Sequence, residues 1–376
     1  MNSKTKKIQE YSTDGKVRHF STEEDINIKL GKIIGQKFID YRKNWDAANR
    51  FEIVTEFPLF LHLDMNQECN YKCPHCIIGH KNEVKEYYEG EYLNFKDFKN
   101  IVDQGSDYKC PSLSPQGNNE PFLIKDLHKY IYYAHKKNFI DIMLNNNGSA
   151  LTPKRSQQIL DSGLTRIRFS LDAFTPETYA KVRVGSIHLD RVIKKIENFL
   201  ELREKGNYKL PIVGVSFCKV KQNENEIDDF INFWQSKVDL ISIQKFMPPT
   251  KNKKKYQKYY STDQYKEEPV NKFHCVQPFQ RIVFRNEYIY PCCVSFNKDL
   301  KLGSIRNTKI YDAWHSPKMN EIRELHKKGE FYKDKTCKDC VNLIYPTKDD
   351  MASDDKQEDE DSKRLTFSQM DSSFKN

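Results

Sequence analysis

Cys69, Cys73 and Cys76 place three thiols within eight residues, in the spacing Cys-x3-Cys-x2-Cys, close enough to converge on one metal centre. A four-iron cluster takes one protein ligand per iron, so three thiolates leave one iron open to an outside ligand. An open iron is a reactive position, where a closed site would be structural. Zinc is a competing reading, but it normally takes four ligands in paired Cys-x2-4-Cys halves, and His75, inside the run, is poorly placed to supply the fourth. A disulfide pairing is the other.

A second cysteine set stands near the C-terminus: Cys275, the adjacent Cys292 and Cys293, then Cys337 and Cys340. Cys275, Cys292, Cys337 and Cys340 give four thiolates, enough to close either a cluster or a zinc site. Cys110 and Cys218 fall on strand-like runs and read as small buried apolar groups.

The elements that must carry these residues alternate. Residues 57–63 read as a strand that delivers the chain into the cysteine loop. Further strands are expected at 109–113, 140–144, 166–171, 212–217 and 240–244, six in all, with helices at 94–104, 125–137, 153–161, 189–204 and 224–236. Successive strand–helix units predict an α/β fold with a parallel sheet. Before them, residues 22–45 read as one helix opened by Ser-Thr-Glu-Glu, within an N-terminal extension over 1–50 that packs on the core. After them, 248–270 is polar, basic and rich in Tyr, Pro and Lys, and reads as a linker. A hairpin is expected around Asn286-Glu287 and a helical run over 310–327.

The cysteine spacing resembles the signature of the radical S-adenosylmethionine (SAM) enzymes. That resemblance implies a partial (β/α)6 barrel over 51–247, with functional residues at the strand C-termini. It also implies a [4Fe-4S] cluster whose free iron is chelated by SAM, and a 5'-deoxyadenosyl radical as the product of cleavage. His75 stands where the family usually carries an aromatic residue and is expected to pack near the adenine. Gly117-Asn118-Asn119-Glu120-Pro121 resembles the family's Gly-x-Gly-Glu-Pro segment, with Asn119 in place of the second glycine; Asn accepts left-handed backbone better than most residues. Asn145-Asn146-Asn147-Gly148 resembles a Thr-Asn-Gly segment, and Ser170-Leu171-Asp172-Ala173 a Ser-Leu-Asp-Gly segment. The SAM-binding candidates so implied are Asn119, Glu120, Asn147, Ser170 for the ribose or carboxylate, and Arg183 as a forked partner for the carboxylate. Asn223-Glu224-Asn225-Glu226 resembles a helix start seen in relatives, and its plainest role is capping.

The second cysteine set resembles the SPASM or twitch domain attached to many such enzymes, here over 271–345. The shorter twitch form, with one auxiliary [4Fe-4S] cluster, matches better. Its Gly-x4-Cys element appears as Glu287-x4-Cys292, which selects Cys292 over Cys293 and loses the glycine. Two clusters and SAM are therefore the expected cofactors, with a reductant such as flavodoxin or ferredoxin. The implied reaction is hydrogen-atom abstraction from a small polar or saccharide-like substrate, for oxidation. A peptide maturase is one alternative, and a non-catalytic iron–sulfur or zinc scaffold is another, kept open by Asn119 and Glu287. Lys245, closing the sixth strand, is a candidate to bind an anionic substrate or take the released proton, against the plainer reading of a lysine that begins a basic linker.

Composition is consistent with this reading. A chain of 376 residues has room for about two domains. Its longest apolar run is far short of a membrane span, and its lysine-rich N-terminus is not followed by an apolar stretch, so neither membrane insertion nor secretion is expected. Ten cysteines without a secretion signal argue for metal ligands in the reducing cytoplasm. Segment 349–361 holds eight acidic residues and one lysine, which leaves the rest more basic than the net +9. No interleaved nucleic-acid motif accompanies that charge. The acidic 346–376 is too poor in apolar residues to pack and is expected to be disordered.

Overall fold

The computed structural model of the protein describes residues 9–12, 17–21 and 24–347, so the acidic segment 349–361 lies outside the described residues. Eleven strands form one sheet: β1 Gln9–Ser12, β2 Val17–Ser21, β3 Phe60–Asp64, β4 Ser112–Ser114, β5 Asp141–Asn146, β6 Arg166–Ser170, β7 Ile212–Lys219, β8 Leu240–Lys245, β9 Arg281–Arg285, β10 Tyr288–Tyr290 and β11 Gly303–Ser304. Their order is β1-β2-β8-β7-β6-β5-β4-β3-β9-β10-β11. The six strands β3 to β8 are parallel neighbours in chain order, the parallel sheet expected of the alternating pattern and the six barrel strands that the family resemblance implies.

Parallel strands covered on both faces read as continuous apolar runs, and β7 does so, with Ile212 to Phe217 all buried. Helices close the outer face through single stripes. In the helix Leu189–Lys205 the buried residues are Leu189, Val192, Ile196 and Phe199, spaced three or four apart. The helix Phe95–Asp107 starts from a capping box in which Asn94 and Asp97 satisfy each other's backbone N–H groups.

Both edges of the barrel are extended. At one, β2 pairs antiparallel with β8, and β1 with β2, a hairpin that the sequence reading of 1–50 lacks. At the other, β9 pairs in parallel with β3, from Phe60 with Arg281 to Asp64 with Arg285, so the C-terminal hairpin continues the barrel sheet. The single helix expected over 22–45 is two, Ile26–Ile34 and Gln36–Asn49, broken at Gly35, whose φ of 90° a side chain would disfavour. Its cap is Asp25, whose carboxylate accepts from the N–H groups of Asn27 and Ile28, while Thr22 and Glu23 of the expected Ser-Thr-Glu-Glu start lie outside the described residues. Pro317 likewise divides the run over 310–327 into the helices Ile310–Trp314 and Pro317–Lys328. The basic stretch after β8 is packed: Gln264 donates to the carbonyls of Phe246 and Ile344, and the Tyr260 hydroxyl to that of Leu343.

Candidate active site

The cysteine loop leaves the C-terminal end of β3 and is fastened on both sides. Its Lys72 N–H donates to Val184 O at 2.7 Å, Cys76 N–H to Cys73 O at 3.1 Å, and Gly79 N–H to Cys76 O at 3.0 Å. Gly79 is required by proximity, because a Cβ there would lie 2.4 Å from Cys73 O. Cys73 is buried, Cys69 and Cys76 half-buried. Burial pushes the Cys69 thiol up to about 11 and Cys76 up to about 12. Thiols so raised become thiolates at neutral pH only against a strong positive charge, which a metal group supplies.

Three strand ends converge on this loop. After β4, the Asn118 N–H donates at 3.0 Å to Asp64, the last residue of β3, whose pKa burial raises to about 6. Asn119 turns its Oδ1 to the Gly117 N–H at 3.1 Å, which leaves its Nδ2 buried and unpartnered among the described residues. Glu120 is buried; Oε1 accepts from Phe122 N–H at 3.1 Å and Oε2 from Asn147 N–H at 2.8 Å. After β5, Asn147 donates through Nδ2 to Asn70 Oδ1 at 3.0 Å, tying this turn to the cysteine loop. At the end of β6 the Ser170 hydroxyl accepts from that of Ser216 at 3.3 Å.

Arg183 follows the short helix Pro176–Val182. One Nη bonds Asp172 Oδ2 at 2.6 Å, the other reaches Cys73 Sγ at 3.8 Å, and Nε is buried without a partner. Both Nη groups of the fork expected for a carboxylate are therefore already engaged, each through one N–H, and Nε has no partner among the described residues. His75 lines the same cavity as the three cysteines: its Nε2 stands 3.4 Å from Asp172 Oδ2, and its ring lies 6.5 Å from those of Phe246 and Tyr259. Asn223 stands at the N-cap of the short turn Glu224–Glu226, but its side chain makes no capping bond; its Nδ2 donates instead to the carbonyls of Asp172 and Cys218.

Cys69, Cys73, Cys76, Asn119, Glu120, Asn147, Ser170 and Arg183 all line one open cavity. The sequence reading missed the residues that brace it, chiefly Asp64, Asn70, Gln116 and Asp172. Asp172 was within reach, as a charged residue just past a strand C-terminus. Lys245 is not among the cavity's lining; it ends β8 with Nζ 5.6 Å from the Tyr345 ring centroid.

A second cavity is lined by Cys275, Cys292, Cys337 and Cys340 among apolar groups such as Met247, Phe273 and Leu300. Cys293 is outside it, with its Sγ accepting from Gln277 Nε2 at 3.3 Å and its N–H donating to Gln277 Oε1. Among the described residues no three His, Cys, Asp or Glu side chains converge on a single-ion position. What the two cavities offer is room with thiols on the wall, which fits a group larger than one ion. The first would hold an iron–sulfur cluster with one position open and SAM beside it; the second has four thiols for a closed cluster.

Comparison with known proteins agrees with that fit. Residues 65–233 match the model of the radical SAM superfamily, and 275–341 that of an iron-sulfur cluster-binding domain, SPASM. Among curated proteins, a probable GTP 3',8-cyclase of Methanococcus maripaludis is 27% identical over 186 residues, covering 50% of this chain and 58% of that one. A GTP 3',8-cyclase of Clostridium botulinum is 24% identical over 201 residues, 54% of this chain and 60% of the relative. The match thus spans about three fifths of these relatives. Among solved structures, SuiB of Streptococcus suis bound to its precursor peptide SuiA superposes with a TM-score of 0.58 at 14% identity, covering 83% of this chain and 80% of that one. BtrN in complex with AdoMet and 2-DOIA gives 0.52 at 18%, covering 78% and 97%. Such low identities speak for the fold alone. No described helix is long and apolar enough to cross a membrane.

Proposed function

Because the chain belongs to the radical SAM superfamily and carries a SPASM iron–sulfur domain, we propose that it oxidises a small polar, saccharide-like substrate at the mouth of its barrel. When bound, the cluster and SAM supply reductive sulfonium cleavage and a carbon radical that takes a hydrogen atom from the substrate. The observation that carries this reading is the convergence of Cys69, Cys73 and Cys76 with Glu120, Asn147, Ser170 and Arg183 around one cavity.

The chain's own share is binding and orientation. Glu120, braced by two backbone N–H groups, presents a carboxylate for the ammonium of SAM, with the backbone carbonyls of 117–119 nearby. Arg183 Nε and Asn119 Nδ2 are buried donors without partners and suit the acceptor oxygens of the same ligand. Ser170 offers a hydroxyl for the ribose or carboxylate. The four-thiol cavity supports a closed auxiliary cluster with no open iron, suited to accepting an electron and not to holding the substrate.

Anaerobic incubation with SAM and dithionite tests the reading. The reconstituted protein should carry about eight irons, four per cluster, and release 5'-deoxyadenosine. Replacing Cys69, Cys73 and Cys76 together with Ala should halve the iron and abolish that product. Failure of the parent protein to form 5'-deoxyadenosine would reduce it to a scaffold.

A further inference from the structure

Arg183 is bound to the cysteine loop more closely than a ligand-gripping arginine needs to be. Its side chain is 13% exposed, and that of Asp172 only 3%. With one Nη held on Asp172 at 2.6 Å, the planar guanidinium has a fixed orientation, and that orientation brings the other Nη to 3.8 Å from Cys73 Sγ. The backbone just beyond is fastened to the same loop through Val184 O and Lys72 N–H.

Asp172 is itself immobilised. Its φ of 60° is in the left-handed region, which a non-glycine residue keeps only when its surroundings impose it. Here they do: Oδ1 accepts from Cys218 N–H at 2.7 Å, and the Asp172 carbonyl accepts from Asn223 Nδ2 at 2.8 Å. His75 Nε2 closes on Oδ2 at 3.4 Å from the loop side. Cys218 and His75 on the carboxylate and Asn223 on the carbonyl thus hold Asp172 in place, and with it Arg183 beside Cys73.

We propose that Arg183, aimed by Asp172, is a positioning residue for the Cys73 thiolate and sets how readily the cluster bound there is reduced. The inference rests on the cluster assignment of the preceding section. One electron added to a thiolate-bound cluster increases its negative charge, and a permanent cation with an N–H on a ligand sulfur favours that state. In a buried site the effect is larger than in water. Asp172 acts in the opposite direction, as a buried negative charge on the same cluster. The two residues thus make opposed predictions that a merely structural pair would not.

The test is an EPR-monitored redox titration of the reconstituted full chain without SAM. It follows the signal absent from the Cys69, Cys73 and Cys76 triple-alanine variant. Arg183→Met should make reduction on the order of tenfold harder, a downward shift of about 59 mV for one electron. Arg183→Lys, which keeps the charge but not the fork, should shift less. Asp172→Asn, which keeps an acceptor for Arg183 and loses the charge, should shift upward. Full iron with parental potentials in Arg183→Met overturns the proposal. If that variant cannot hold iron, parental potentials in both Arg183→Lys and Asp172→Asn overturn it instead. Absence of the signal from the parent protein would overturn the cluster assignment, and this inference with it.

Discussion

Glu120 and Asn147 hold the site together: a carboxylate oxygen on the loop after β4 accepts from the backbone N–H after β5 at 2.8 Å. The bond joins two neighbouring strand ends at the point where they meet the cysteine loop. It also fixes which way the carboxylate faces. Glu120 N–H donates in turn to Glu68 O at 2.8 Å, one residue before Cys69, so the same residue spans all three segments.

Burial raises the Glu120 carboxyl to about 7, against which the two backbone N–H groups act only in part. A carboxyl raised in the fold stabilises it when protonated; that contribution is full below the ordinary pKa near 4.5 and is lost as pH rises through about 7. A cationic ligand has the opposite requirement, because its ammonium needs the carboxylate. We expect SAM affinity to be about tenfold weaker at pH 6 than at pH 8, one unit below the pKa leaving roughly a tenth of the groups ionised. Glu120→Gln should bind weakly at both and lose this dependence. Calorimetric titration at the two pH values checks it, and an equal pH dependence in parent and variant would remove Glu120 from the ammonium site.

Most of what places the cavity was legible locally. Six apolar runs separated by amphipathic helices specify a parallel sheet, and the family resemblance adds that it forms an open barrel with functional residues at the strand ends. Pairing across distance was not legible. Nothing in Arg281 to Arg285 announces that it lies beside Phe60 to Asp64 and not in a separate unit, since a hairpin reads the same whichever edge it joins. Asn223 before an acidic turn has the composition of a helix cap, yet its amide is spent on the carbonyls of Asp172 and Cys218. Asp172 itself was visible as a residue, but its role depends on His75 and Arg183, which only the fold brings to one carboxylate oxygen.

Gly79 offers a probe of the loop that removes no thiol. A methyl group there would meet the backbone of Cys73 at 2.4 Å and that of Lys72 at 3.3 Å, and backbone cannot swing aside as a side-chain tip can. Relief requires the loop between Cys73 and Cys76 to open, a strain of about 1–3 kcal/mol by comparison with overpacked cores. Gly79→Ala should therefore hold substantially less than the parental iron in the first cluster while keeping the four irons of the auxiliary one. Iron and EPR quantitation on the reconstituted variant tests this. Parental occupancy of both would show that the loop tolerates the displacement.

The adjacent thiols Cys292 and Cys293 should behave as opposites. Cys292 lines the cavity with Cys275, Cys337 and Cys340, and its Sγ accepts from Asn297 Nδ2 at 3.4 Å, a contact that would orient a ligating thiolate. Burial and the neighbouring thiols push it up to about 12, so it too needs a metal group to ionise. Cys293 is turned away and held at both its Sγ and its N–H by the Gln277 amide. Cys292→Ser should lose the auxiliary cluster, taking bound iron from about eight to about four, whereas Cys293→Ser should keep all of it. Because serine retains a hydroxyl that Gln277 can still meet, loss of iron in the second variant could not be put down to a broken hydrogen bond, and would make Cys293 the ligand. Stoichiometric zinc alongside only four irons in the parent protein would instead assign the four-thiol cavity to zinc and leave the first cluster unaffected.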